Sequence, residues 1–168
     1  MQKSSSAAPS AKRIILKAWL VAGSLDILTA CIYYTIRTGN SPLRVLKFVA
    51  SGVFGTSAIN GGMAYAVWGM LLHYLVAFLF TVFFFLLYPS VKWLAFNRWL
   101  TALLYGLFVW LVMNRIVVPL SNTPKSPFNL QQAIIGALIL VVMIGLPLSF
   151  LIGKYYAAKR VKPSSPAS

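Results

Sequence analysis

The chain has 168 residues, 60% of them hydrophobic and 10% charged, with a mean hydropathy of +0.81. Soluble domains carry about 25% charged residues and roughly 45–50% apolar ones, so a soluble fold of this length is excluded. The net charge of +14 comes from cations at the ends of apolar runs, with no basic, aromatic-interleaved domain to bind nucleic acid.

Residues 1–13 are Ser, Ala, Pro and Lys without periodicity, which reads as a disordered basic tail touching anionic headgroups. The first span is expected at about 14–36, with Asp26, the only acidic residue of the chain, near its middle. Leu28-Thr29-Ala30-Cys31 looks like a lipoprotein processing box. The run is broken by Lys17 and Asp26 and stays apolar past Cys31, however, so a span is the better reading. One cysteine cannot form an intrachain disulfide, which removes thiol-exchange chemistry.

In the connection from Arg37 to Gly62, Ser41-Pro42 is a helix start and Gly61-Gly62 a stop. A helix over about 42–59 follows, with Leu43, Leu46, Val49, Ala50, Val53 and Phe54 on one broad side and Arg44, Lys47 and Ser51 on the other. It is expected in the outer interface or as a re-entrant cap. As a fifth span it would be short, would carry two cations, and would put the basic tails on opposite sides.

Three more apolar runs follow, at about 63–88, 99–120 and 130–152, and 154–168 forms a second basic tail. Lipid offers the backbone no hydrogen-bond partners, so each run must be a helix. The expected fold is all-α: a single polytopic four-transmembrane-helix bundle over 14–153. Lys3, Lys12, Arg13, Lys17, Lys92, Arg98, Lys154, Lys159, Arg160 and Lys162 share one side, which places both tails in the cytoplasm. Trp19, Trp93 and Trp99 fit an aromatic belt on that side, and Tyr33, Tyr34, Tyr65 and Trp68 one on the other.

Residues at a spacing of four give each span a contact stripe: Ala18, Ala22, Asp26, Ala30; Gly69, His73, Ala77, Thr81; Ala102, Gly106, Trp110, Asn114; and Ala133, Ala137, Val141, Gly145, Ser149. The first three stripes bring Asp26, His73 and Asn114 inward, with Arg115 as counter-ion. Ionisable groups inside spans mark ion or substrate paths by default, which suggests a proton-coupled solute or cation transporter working through Asp26 and His73. Small multidrug transporters are similar in architecture, having four helices and one acid in the first, but share no motif with this chain. The reading preferred here is an accessory or structural membrane component, self-associating or bound to another membrane protein, whose polar cluster only fixes helix register; the transporter is the alternative.

An enzyme is not expected. Mg²⁺ chemistry wants several carboxylates and a zinc site about three ligands. For a serine hydrolase, Ser149 is the only bundle-facing partner for His73. No cofactor or metal is implied. Pro147 after Gly145 is a candidate hinge, and Arg44 and Lys47 are candidate contacts for anionic lipid or ligand.

The run Ser41-Pro42-Leu43-Arg44-Val45-Leu46-Lys47-Phe48, with Ala50-Ser51-Gly52, Gly61-Gly62, His73, Tyr105-Gly106, Met113-Asn114, Pro119-Leu120-Ser121, Pro127-Phe128 and Gly145-Leu146-Pro147, resembles a family of small bacterial inner-membrane proteins of unknown function. The resemblance runs from about Leu20 to Leu151. It implies a bacterial cytoplasmic membrane and four spans, and it assigns no activity.

Overall fold

The computed structural model describes residues 10–91, 96–125 and 127–161. Lys3, Lys92, Trp93 and Lys162, with most of both expected tails, lie outside the described residues. Within them the chain is helical without strands. Helix α1 is Ala11–Thr38, α2 Leu43–Phe54, α3 Thr56–Asn60 and α4 Met63–Ser90. Helix α5 comprises Arg98–Val112, a wide turn Met113–Val117 and Val118–Leu120. Helix α6 comprises Leu130–Leu140, a wide turn Val141–Gly145 and Leu146–Val161. The long helices α1, α4, α5 and α6 are each long and apolar enough to cross a membrane.

The ends follow from local chemistry. Ser10 Oγ accepts the Arg13 N–H at 3.4 Å and starts α1, so Lys12 and Arg13 are helical rather than tail. Gly39 ends it at φ 68°, its N–H bonded to the Thr35 carbonyl. Asn97 caps α5 by accepting from Trp99 and Leu100, and Asn129 caps α6 by accepting from Gln132. The single helix expected over 42–59 is corrected to two. Gly55 turns left-handed at φ 64°, which breaks α2 from α3.

Each wide turn ends two residues before a proline. The Val118 N–H reaches back to the Met113 carbonyl ahead of Pro119, and the Leu146 N–H to the Val141 carbonyl ahead of Pro147. Proline has no N–H and its ring crowds the carbonyl four residues back. A five-residue turn absorbs that mismatch without breaking the helix.

The bundle closes through small residues. Helix α1 packs on α4 and α6, α5 packs on α6, and α2 lies on α4. A Cβ on Gly106 would stand 2.4 Å from Val141 Cα, and one on Gly145 2.2 Å from the Ala102 carbonyl oxygen. Helices α5 and α6 therefore touch backbone to backbone. Gly69 likewise admits the Leu46 carbonyl of α2, at 1.8 Å from where its Cβ would be.

Helix α6 runs past the expected boundary at 152 to Val161, so the tail expected at 154–168 is helical in its first part. There Tyr156 donates to the Phe85 carbonyl at 3.0 Å and stacks on Tyr88 with ring centroids 5.4 Å apart. This packing holds the extended end of α6 against α4.

Two separate cores result. The larger contains Ala18, Ala22, Phe84, Tyr105, Val109, Leu148 and Ile152 in the half of the bundle that carries the chain ends, here the tail half. The smaller, Ile27, Leu46 and Ala66, lies in the opposite, loop half beneath α2. The turn of α1 between them carries Asp26.

Candidate functional site

Three hydrogen bonds join α1 to α4 around Asp26, and none uses its carboxylate. Trp19 Nε1 donates to the Tyr74 carbonyl at 2.7 Å, Ser24 Oγ and Tyr74 Oη lie 2.7 Å apart, and His73 Nε2 lies 2.9 Å from the Gly23 carbonyl. A carbonyl only accepts, so Nε2 carries the proton and Nδ1 of a neutral ring is left as the acceptor. Gly23 allows this approach because a Cβ there would meet the Tyr74 ring at 3.2 Å.

Asp26 sits at the centre of the buried arc of α1, flanked by Ala22 at 2% exposure, Gly23, and Ile27 at 4%. It therefore points toward the bundle axis. Yet it is only half-buried, makes no hydrogen bond or ion pair among the described residues, and its oxygens keep exposed surface. The structure thus sets His73 against the turn of α1 that precedes Asp26, through the Gly23 carbonyl, and leaves the carboxylate without a bonded partner among the described residues.

The other two members of the expected cluster are not there. Asn114 is exposed and donates to the Trp110 carbonyl at 2.9 Å, one turn back on its own helix. Arg115 is exposed beside it in the wide turn and pairs with no carboxylate. The stripe through Ala102, Gly106 and Trp110 assumed a straight α-helix, and the wide turn ends that register at Met113.

Lys47 donates to the Gly61 carbonyl at 2.5 Å, tying α2 to the start of α4. Arg44 is exposed on α2. Pro147 lies two residues after Gly145, beside the close crossing of α5 and α6. Ser149 is fully buried and donates to the Arg98 carbonyl at 2.7 Å, so it does not serve His73. Cys31 lines an apolar surface groove of about 510 Å³ between α1 and α2, away from Asp26.

Residues missed in the sequence are Trp19, Ser24 and Tyr74. Trp19 reads as an interfacial aromatic until its indole is seen bonded inside the bundle. Ser24 and Tyr74 had a signal in their places beside Asp26 and His73, but no stripe contained them.

Among the described residues the chain is thus all-helical, with four helices long and apolar enough to cross a membrane and close glycine crossings between helices. No family model, curated protein or solved structure matches the chain.

Proposed function

We propose that this is a multi-pass protein of the bacterial cytoplasmic membrane, both tails inside, that binds and releases protons at Asp26 with His73 beside it, and couples them to a solute. One observation carries this reading: the only side-chain carboxyl of the chain points into the bundle without a hydrogen-bond partner among the described residues. A residue kept to fix helix register would be bonded, as His73, Ser24 and Trp19 are. An intramembrane acid left unbonded pays the cost of desolvation for no structural return. Protonation removes that charge, and water or a bound solute restores it. On this reading the register role falls to the three α1–α4 bonds.

The basic residues at the ends of α1 and α6, Lys12, Arg13, Lys17, Lys154, Lys159 and Arg160, support the cytoplasmic placement of the tails. Helix α2 is read as an interfacial helix on the outer side. It crosses α4 at Gly69, and the ring of Phe54 meets Tyr65 at 5.5 Å and Trp68 at 6.0 Å, an aromatic group of the kind found at headgroup level.

The test is proton uptake by the purified protein in liposomes loaded with a pH-sensitive dye, under an imposed potential. Wild type is expected to acidify the lumen and Asp26→Asn to do so no faster than empty liposomes. Equal uptake by both proteins would remove Asp26 from any proton path.

A further inference from the structure

The stripe of α1 that carries Asp26 changes character at that residue. Toward the tail end its next members are Ala22 and Ala18, at 2% and 0% exposure, closed over by Leu148, Val109 and Phe84. Toward the loop end come Ala30, Tyr33 and Arg37, four, seven and eleven residues on, hence the same face one, two and three turns higher. None of these three is buried.

The facing helices change at a similar depth. Helix α6 has no buried residue from Leu130 to Leu140, and α5 has none in Met113–Val117, whereas both are densely buried in their tail halves. At the top of the stripe Arg37 donates to Tyr33 Oη at 3.1 Å. With its amide oriented by its partners, Gln132 of α6 accepts from both Arg37 terminal nitrogens, at 3.2 and 3.0 Å.

We infer that Asp26 is reached from one side only, through a cleft in the loop half walled by α1 and α6, and that the Arg37–Gln132 pair bridging these helices is the gate at its mouth. The inference rests on the reading of Asp26 as a proton site and specifies its route. The charged groups facing the path are few. Helix α4 contributes His73, α1 contributes Arg37, α5 carries exposed Arg115, and α6 has no ionisable residue between Leu130 and Gly153. A single carboxylate suits protons relayed by water better than metal cations, which need several oxygen ligands. Among the described residues no group of three His, Cys, Asp or Glu gathers to supply them.

The experiment uses the full chain with Cys31→Ser as background, in membrane vesicles of both orientations, and a membrane-impermeant maleimide. Ala30→Cys places a thiol one turn above Asp26, and Ala22→Cys one turn below. A thiol reacts as its thiolate, which forms where water reaches it, so Ala30→Cys is expected to label about tenfold faster from the loop-end face than from the tail-end face. Ala22→Cys should resist labelling from either face. Gln132→Ala should speed the Ala30→Cys reaction several-fold, and Gln132→Glu, which pairs with Arg37, should slow it; opposite effects distinguish a gate from general loosening. Labelling of Ala30→Cys that is equal from both faces, or no faster than that of Ala22→Cys, overturns the one-sided route. Failure of proton uptake with one-sided labelling intact would instead overturn the proton reading and leave the cleft standing.

Discussion

Replacing Asp26 with Asn separates a structural carboxyl from one kept for exchange. In the structure the substitution breaks no hydrogen bond and no ion pair among the described residues, because Asp26 makes none. It also removes a charge that costs about 2.5–3.5 kcal/mol at the centre of a membrane helix. The surface that its oxygens keep exposed offsets part of that cost, so Asp26→Asn should leave stability at pH 7 unchanged or raise it by up to about 2 kcal/mol. His73→Ala is the contrasting case. It removes the 2.9 Å bond to the Gly23 carbonyl, an interhelical contact worth about 0.6 to 1.7 kcal/mol, and leaves a gap beside Tyr74. Unfolding of both variants in mixed micelles, followed by tryptophan fluorescence, reads these signs directly. A loss of about 2 kcal/mol or more in Asp26→Asn would show that the carboxyl holds the fold together, and the argument for a proton site would fail with it.

Gly69→Ala forces a Cβ onto the Leu46 backbone carbonyl at 1.8 Å, which no rotamer change relieves, so α2 should lift from α4 at a cost of about 1–3 kcal/mol; unchanged thermal unfolding would contradict the crossing. Gly145→Leu should be worse, because Ala102 meets it with backbone atoms, and loss of folded protein on size exclusion in detergent is the expected outcome. Lys47→Ala should cost about 1–3 kcal/mol through its bond to the Gly61 carbonyl, while Arg44→Ala should be nearly neutral in the same unfolding assay. Tyr105→Phe removes a 2.6 Å bond from α5 to the Phe80 carbonyl of α4 and should cost about 1 kcal/mol.

The spans were legible because composition and length decide them. The start of α4 at Met63 after Gly61-Gly62 coincides with the expected boundary, and that of α5 lies one residue away, at Arg98. Boundaries outside the apolar runs were less legible: nothing in Lys154 to Val161 is apolar enough to suggest a helix, and the tyrosine packing that sustains it is tertiary. Asp26 and His73 were readable as neighbours from depth and stripe alone. Asn114 was misplaced because four-residue spacing holds only in an unbroken α-helix, and the wide turn that breaks it depends on how α5 meets Pro119. The split at Gly55 depended on one torsion, which a glycine permits but does not announce.

The paired wide turns have a consequence for insertions and deletions. A five-residue turn holds one residue more than the α-helical repeat allows, so removing one residue from 141–145 would let α6 run straight with its tail half still in phase, whereas removing one from the α-helical residues 146–148 would turn everything after it by about 100°. Ser149 would swing off the Arg98 carbonyl and Tyr156 off that of Phe85, although neither had been altered. The wide turn is therefore where α6 can lose a residue and keep the phase in which its tail half docks, and the α-helical stretch after it is where it cannot.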